Sequence, residues 1–200
     1  MTNIDLTTEN HGRSLTYTIQ NIVAKTCLNL GEQIDLNKVS EGIQNTEYNS
    51  ERFPGLFIRE NHPKCVIILF KNGKMIFTGL KSFDQIIIAL KRLVLKLNKI
   101  FESSINVSSI HPQVVNIVIT ANFFNQINLD RALFKLSDTI YEPEVFPGLI
   151  YRSNSPVKSV FLIFSTGKVV CTGIHEKNDI EPALKSLGRL FDKEKFFMTS

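Results

Sequence analysis

The chain has 200 residues, of which 43% are hydrophobic and 21% are charged, a balance typical of globular domains rather than of disordered or collagenous chains. Its three cysteines, Cys27, Cys65 and Cys171, stand far apart and include no C-x-x-C pair, which argues against a disulfide framework and a zinc module. The longest apolar runs are too short to span a bilayer, and residues 1–13 contain no apolar block. The sequence therefore predicts neither a membrane protein nor a secreted one.

Positive charge is concentrated in one part of the chain. The formal net charge is only +4, but residues 61–100 contain eight basic side chains and a single acidic one, Asp84. Because clustering sets the local surface potential, this segment points to nucleic acid more strongly than the net charge does.

The chain also repeats itself. Three segments recur in the same order: 51–59 as 144–152, 68–79 as 162–173, and 21–23 as 116–118. The offsets are 93, 94 and 95 residues, so the chain contains two copies of one unit of about 90 residues. We expect a short N-terminal tail at 1–14, a first repeat at 15–107 and a second repeat at 108–200, forming one continuous domain.

Each copy predicts the same elements in the same order. The first predicts a strand, a short helix, three strands and a long helix, at 17–25, 35–44, 55–60, 64–70, 74–78 and 82–101. The second predicts their counterparts at 113–121, 128–137, 148–152, 158–164, 168–172 and 177–191. Gly73 and Gly167 mark hairpin turns, and Ile86, Ile87 and Leu90 belong to the stripe of the first long helix that is expected to be buried. The pattern is typical of an antiparallel sheet with helices on one side.

The second face of this sheet is the informative one. Side chains alternate between the two faces of a strand, and the predicted strands carry apolar residues on both. One interpretation is that the two copies stack sheet on sheet and bury this face as plain core. Against it, Asn21, Lys74 and Thr78 share that face, as do Lys168 and Thr172 in the second copy. Apolar patches with short donors and flanking cations fit the minor groove of a nucleic-acid duplex.

Four phenylalanines occupy repeated positions at strand ends. Phe53 and Phe146 lie immediately before the Pro-Gly sequence at a strand entry, and Phe70 and Phe164 lie at the hairpin tips. A single phenylalanine at such a place is usually core, but two pairs at the same offset favour apolar wedges that separate base steps.

Other classes of function have weaker support. His11, His62, His111 and His175 are scattered without carboxylate or cysteine neighbours at ligand or triad spacing, so no catalytic or metal site is predicted. No phosphate-binding G-x-x-x-x-G-K-[ST] loop occurs. A sheet that stacks single-stranded RNA would need aromatic residues at mid-strand in an RNP1-type run, which is absent. We therefore expect a binding protein without a cofactor and not an enzyme.

From about residue 15 to residue 191, the chain resembles the TATA-box-binding protein family. The motifs that carry the resemblance are the segments at 20–24, 45–49, 141–144 and 146–152 and the two Gly-Lys-x-x-x-Thr-Gly hairpins. The resemblance implies an α+β fold: a saddle of two pseudo-symmetric repeats, with a curved ten-stranded antiparallel sheet and helices on its convex side. It also implies minor-groove binding with a kinked duplex.

The resemblance assigns roles to individual residues. Two intercalating pairs are implied: Phe53 with Phe70, and Phe146 with Phe164. Hydrogen-bond donors at the centre of the site are implied at Asn21, Asn116, Thr78 and Thr172. The apolar floor is implied at Val23, Val118, Ile68, Ile76, Leu162 and Val170. Contacts with the DNA backbone are implied at Arg52, Arg59, Lys64, Asn72, Lys74, Arg152, Lys158, Thr166 and Lys168.

The resemblance further implies a general transcription initiation factor that binds double-stranded TATA-box DNA in a nucleus and nucleates a pre-initiation complex. Glu142 and Glu144 resemble the contact for general transcription factor IIB, and Lys91, Arg92 and Lys99 resemble the basic surface used by factor IIA and by negative regulators such as Mot1-type ATPases. TBP-associated factors, and a homodimer formed through the concave face, are further expected partners. The alternative is a TBP-related paralogue that acts as a specialised promoter factor or a scaffold with weak DNA binding.

Overall fold

The computed structural model describes residues 2–5, 14–28 and 32–198. His11 and most of the predicted N-terminal tail lie outside these residues. Within them, tertiary contacts divide the chain into two units: a first unit, Asn21–Val115, and a second unit that joins Met1–Gln20 to Asn116–Ser200. None of the helices in the described residues is long and apolar enough to cross a membrane.

The strands and helices follow the predicted order, with additions. The first part of the chain forms β1 (Thr2–Asp5), β2 (Ser14–Cys27), α1 (Leu36–Gly42), β3 (Thr46–Glu47), β4 (Gly55–Asn61), β5 (Lys64–Phe70), β6 (Lys74–Leu80) and α2 (Asp84–Phe101). The rest forms β7 (Gln113–Asn122), α3 (Leu129–Lys135), β8 (Thr139–Ile140), β9 (Leu149–Ser153), β10 (Ser159–Ile163), β11 (Lys168–Ile174) and α4 (Ile180–Lys193). Short 3₁₀ turns lie at Val107–Ser109 and Lys177–Asp179. The sequence did not predict β1, β3 or β8, each of which has four residues or fewer.

The first unit is an antiparallel sheet in the order β3-β4-β5-β6-β2, with β2 counted from Asn21. One face of these strands is buried. It carries the side chains of Leu56, Ile58, Ile67, Leu69, Met75 and Phe77. The helix α2 contributes Ile86, Ala89, Leu90, Leu93, Val94 and Leu97 to the same core. Ile87 was expected in this stripe, and that prediction is wrong: its side chain is 42% exposed, because it lies one helical step outside the i, i+4, i+7 face.

The second unit has the order β2-β7-β11-β10-β9-β8, with β2 counted to Gln20 and β1 paired along its first residues. Its buried face carries Ile117, Ile119, Leu149, Phe161, Ile163, Val169 and Cys171. The core side chains of α4 are Ile180, Ala183, Leu184, Leu187 and Phe191. Each repeat therefore contributes five strands and two helices, in agreement with the predicted α+β class.

Local signals explain where these elements begin and turn. Asp35 caps α1 by accepting hydrogen bonds from the backbone N–H groups of Asn37 and Lys38, at 3.0 and 3.2 Å. Asn128 caps α3 in the same way. Gly73 has a φ of +81°, and a Cβ there would lie 2.2 Å from the backbone oxygen of Leu28, so only glycine fits this hairpin.

In both units the opposite sheet face stays partly exposed. The alternate residues of β5, from Lys64 through Val66 and Ile68 to Phe70, are exposed or half-buried, whereas Cys65, Ile67 and Leu69 are buried. We call this second face the open face of each unit. Within the first unit, the side chains on this face of β5 are therefore not fully buried.

Candidate nucleic-acid interface

On the open face of the first unit, a carboxamide and a hydroxyl meet at a β-bulge. Asn21 Oδ1 accepts a hydrogen bond of 2.7 Å from the backbone N–H of Gly79, and Asn21 Nδ2 lies 3.3 Å from Thr78 Oγ1. Gly79 has a φ of +88°, and the β2–β6 register shifts there. Because the backbone N–H engages the oxygen, the amide presents its NH₂ end to other partners.

The second unit builds the same arrangement. Asn116 Oδ1 accepts from the backbone N–H of Gly173 at 2.9 Å and from Thr172 Oγ1 at 3.1 Å. Gly173 has a φ of +85° at the matching shift of register between β7 and β11. Each unit therefore fixes one predicted Asn–Thr pair by the same backbone contact.

Apolar side chains lie in cross-strand rows beside these pairs. In the first unit Ile68 lies opposite Ile76. In the second unit Leu162 lies opposite Val170. Val23 and Val118 are half-buried on the same faces. The structure thus brings the predicted apolar floor together within each unit.

The predicted phenylalanine pairs form contacts in each unit. The ring centroids of Phe53 and Phe70 are 5.9 Å apart, and those of Phe146 and Phe164 are 5.8 Å apart, both in tilted or edge geometry. Phe53 and Phe146 are 38% and 36% exposed, although each packs against its partner ring. Each pair therefore presents apolar surface at the end of an open face.

A glycine beneath each pair makes this packing feasible. A Cβ at Gly55 would lie 2.7 Å from Phe53 Cε1 and 3.1 Å from Phe70 Cε1. A Cβ at Gly148 would lie 2.7 Å from Phe146 Cε1. The glycine of each Pro-Gly sequence is thus explained by the close approach of the rings.

Most of the predicted backbone-contacting cations are exposed around these features: Arg52, Lys64, Lys74, Arg152, Lys158 and Lys168. Arg59 is exposed as well, but its Nη2 lies 3.2 Å from Glu47 Oε2 on the neighbouring strand. Asn72 has a structural part in its turn, where Oδ1 accepts from the backbone N–H of Lys74 at 3.1 Å. Its counterpart Thr166 is exposed in the second hairpin turn.

The structure adds residues to the open faces that the sequence analysis missed. Lys25 lies two residues after Val23, and Thr120 and Asn122 follow Val118 at the same spacing, so strand alternation alone could have found them. Gln20 Nε2 donates a 2.8 Å hydrogen bond to Thr120 Oγ1. A groove of 740 Å³ in the second unit is lined by Thr16, Tyr17, Thr120, Phe164, Lys168 and Val170 among others.

The predicted partner-contacting residues lie away from the open faces. Glu142 and Glu144 are exposed in the loop before β9, where the backbone oxygen of Glu142 accepts from the N–H of Phe146 at 2.8 Å. Lys91 and Lys99 are exposed on α2. Arg92 is half-exposed, and its Nε lies 3.8 Å from Oε2 of the buried Glu60.

Two of the three cysteine thiols are buried. Burial raises the pKa of the Cys171 thiol to about 12, and burial together with the nearby Glu60 carboxylate raises the pKa of Cys65 to about 11. No group of three or more histidines, cysteines or carboxylates in the described parts of the chain is arranged to hold a metal ion.

Comparisons with known proteins agree with this geometry. The model of the family described as transcription factor TFIID (or TATA-binding protein, TBP) matches residues 16–100 and 111–193. The chain is 42% identical to the TATA-box-binding protein of Sulfolobus acidocaldarius over 175 residues, covering 88% of this chain and 85% of the relative. It is 40% identical to that of Pyrobaculum neutrophilum over 185 residues, covering 89% and 91%.

A solved structure extends the likeness to the fold. The structure of Methanococcus jannaschii TBP matches with a TM-score of 0.79 at 37% identity, covering 90% of this chain and 98% of that one. This match confirms the predicted fold class. With family matches in both halves and close relatives over most of its length, the chain belongs to the TATA-binding protein family.

Proposed function

We propose that this protein is a general transcription initiation factor that binds the minor groove of TATA-box DNA, kinks it and nucleates a pre-initiation complex. The observation that carries the proposal is the duplicated open face. Each unit holds one phenylalanine pair, one Asn–Thr pair and an apolar row between them. The repeats at 15–107 and 108–200 are proposed as its two functional halves.

The chemistry of the Asn–Thr pairs supports an A·T-rich target. In the minor groove, A·T and T·A pairs present only acceptors, adenine N3 and thymine O2. Asn21 and Asn116 have their oxygens engaged by backbone N–H groups at 2.7 and 2.9 Å, so their NH₂ groups are the ends that meet the DNA. Donors that face acceptors favour A·T pairs, whereas the guanine 2-amino donor would oppose them.

The phenylalanine pairs supply the bend. An apolar ring inserted between base pairs unstacks one step and kinks the duplex toward the major groove. Packing of the two rings, with a glycine beneath them, keeps each pair in place before it meets DNA. The exposed lysines and arginines around the open faces would contact phosphates and make binding depend on salt.

A gel-shift assay combined with end-to-end energy transfer tests this function directly. We expect tight, bent complexes with a TATA duplex and much weaker, unbent ones with a G·C-rich duplex of the same length. Phe164→Ala should reduce both affinity and bending, because the wedge is lost. Phe134→Ala is the matched control, since Phe134 is 88% exposed on α3 and outside the open face. Equal affinity for the two duplexes without a bend would refute the function.

We further propose the partners that the resemblance implied: factor IIB at Glu142 and Glu144, and factor IIA and negative regulators at Lys91, Arg92 and Lys99. TBP-associated factors, and self-association through the open faces, belong to the same proposal. The exposure of the two glutamates supports the first of these. Reversing both charges, with Glu142→Lys and Glu144→Lys, should abolish the ternary complex with factor IIB while leaving the binary DNA complex intact.

The family is one of DNA-binding transcription factors and not of enzymes, which supports a non-catalytic role. The protein is proposed to work in a compartment that contains DNA. A nucleus stays a prediction, and the relatives reported above come from archaea. The paralogue alternative has no better support, because both phenylalanine pairs and both Asn–Thr pairs are present.

A further inference from the structure

At one position of matching register, the open face of the first unit has a charged side chain and that of the second unit has a neutral one. In the first unit a row runs across the strands from Lys25 to Ile76, Ile68 and Phe57. In the second unit the equivalent row runs from Thr120 to Val170, Leu162 and Ile150. A lysine thus stands in the first row where the second has a threonine.

The surroundings of Lys25 leave its ammonium group available. The side chain is exposed, and its neighbour across the strand is the apolar Ile76. None of the carboxylates in the described residues forms an ion pair with it. Thr120 is half-buried and accepts a hydrogen bond from Gln20.

These two side chains have different hydrogen-bonding capacities. An ammonium group has three donors and no acceptor, whereas a hydroxyl both donates and accepts, and the Gln20 carboxamide adds an acceptor oxygen. A·T pairs offer only acceptors in the minor groove, and a G·C pair adds the donor of the guanine 2-amino group. A G·C pair therefore places a donor against the donors of Lys25 but can be accommodated by Thr120 and Gln20.

We infer that Lys25 makes the base pair that it meets under the first unit strictly A·T-specific, whereas the base pair that meets Thr120 under the second unit can be G·C. The inference rests on the proposed minor-groove function and adds a residue that determines specificity. Its consequence is directional: on a site with G·C in one half, the protein binds with the second unit over that half.

Affinities for three duplexes test the inference. The first is a self-complementary all-A·T site. The second has a single G·C pair in one half, and the third has G·C pairs at that position and at its mirror-related position. The substituted position is moved through the site one base pair at a time. At the position that meets Lys25 or Thr120, we expect the parent protein to bind the single-G·C duplex within about twofold of the all-A·T duplex, since it can bind in the reversed orientation. At the same position, the double-G·C duplex should bind roughly tenfold or more weakly.

Exchanging the two side chains completes the test. Lys25→Thr should restore binding of the double-G·C duplex to near the all-A·T value. Thr120→Lys should weaken binding of the single-G·C duplex about tenfold. Lys38→Thr, on α1 of the first unit, is the control for loss of one positive charge, and should leave the ratios between duplexes unchanged.

Two outcomes would overturn the inference. One is a parent protein that loses affinity equally for one and for two G·C pairs at every position. The other is a Lys25→Thr variant that binds all three duplexes more weakly by the same factor, because that result assigns Lys25 to a phosphate contact. Failure of the parent to bind the all-A·T duplex at all would instead refute the proposed function.

Discussion

In the first unit a carboxylate lies beneath α2, whereas the second unit has hydroxyl groups at the same place. Glu60, with a side chain only 4% exposed, pairs with Lys96 and lies near Arg92. The counterpart of Glu60 is Ser153, which donates to the backbone oxygen of Ser155 at 2.9 Å. The buried polar side chain thus forms an ion pair with a helix in the first unit and a neutral local contact in the second.

The open faces diverge much less. The ring distances of the two phenylalanine pairs differ by about 0.1 Å, and both Asn side chains accept from a bulge glycine. The comparison teaches that the repeats keep the same geometry where several groups must converge on one ligand. They differ where a neighbouring side chain can compensate for a change, as Lys96 does for Glu60.

The largest effect is expected from breaking the ion pair of the first unit. Lys96→Leu introduces the residue type that the second unit has at Leu190, but leaves Glu60 buried without its closest cation. We expect a loss of about 3 kcal/mol in the free energy of unfolding, the low end for buried pairs, because Arg92 remains nearby. Urea denaturation measures this loss.

The double variant Glu60→Ser with Lys96→Leu carries the arrangement of the second unit into the first. Since no unpaired charge is then buried, most of the lost stability should return. Equal losses in the single and double variants would show that Lys96 acts through packing and not through charge.

A second, smaller effect should distinguish the phenylalanine pair of the first unit from that of the second. Gly55→Ala forces a Cβ against Phe53, Phe70 and the Cγ2 of Ile68 at 2.8 Å, whereas the atoms nearest to a Cβ at Gly148 all belong to the rings of Phe146 and Phe164. Phe57 also packs on Phe53 with centroids 5.1 Å apart, and so hinders its escape. Overpacking costs about 1–3 kcal/mol, and we expect Gly55→Ala to lie higher in this range than Gly148→Ala.

Thermal unfolding of both alanine variants against the parent protein measures this order. The bend of the proposed DNA complex should fall in both, because the displaced rings no longer point into the groove. A Gly148→Ala variant that is less stable than Gly55→Ala would contradict the role assigned to Ile68 and Phe57.

The third effect concerns the shared Asn–Thr geometry. Asn116→Asp keeps an oxygen that accepts from Gly173 but removes the NH₂ donors, so stability should change little while binding of TATA DNA falls. Asn116→Ala loses the acceptor too and should cost about 1 kcal/mol of stability. The same two changes at Asn21 should give matching results, measured by urea denaturation and gel shift.

Unequal losses of stability or DNA binding at Asn21 and Asn116 would show that the two Asn–Thr pairs do not act in the same way. A loss of stability in Asn116→Asp as large as in Asn116→Ala would show that the NH₂ group, and not the oxygen, holds the bulge.

Much of this architecture could be predicted from the sequence because local residue patterns determine it. The repeated Gly-Lys hairpins placed β5, β6, β10 and β11 to within two residues, and alternation placed their open faces. The sequence pattern predicts that α2 starts at residue 82, two residues before its start at Asp84. There, Gln85 Oε1 accepts from the backbone N–H of Lys81 at 2.8 Å and holds the preceding turn outside the helix.

Features that depend on distant partners were not predicted. Alternation assigns Glu60 to the buried face, but only the folded unit shows that Lys96 lies above it, 36 residues away. Likewise, Arg59 was assigned to DNA without its partner Glu47, because β3 is too short to be recognised from pattern alone. Strand alternation alone, by contrast, places Lys25 on the open face, two residues after Val23.

The smallest effect is expected from the two buried thiols and leaves stability at neutral pH unchanged. Cys65 and Cys171 have pKa values raised to about 11 and 12 from an ordinary 9.0, so both stay protonated and react slowly with iodoacetamide at pH 8. Cys65 should react faster than Cys171, because its pKa is lower. In urea the two thiols should react at the same rate. Because the folded protein holds these protons more tightly, stability should be constant below about pH 9 and fall as the pH rises toward 11 and 12. Mass spectrometry of the labelled peptides gives the order. Equal rates in the folded protein would mean that the cores of the two units open together, and that they are less distinct than the ion pair of the first and the hydroxyl group of the second suggest.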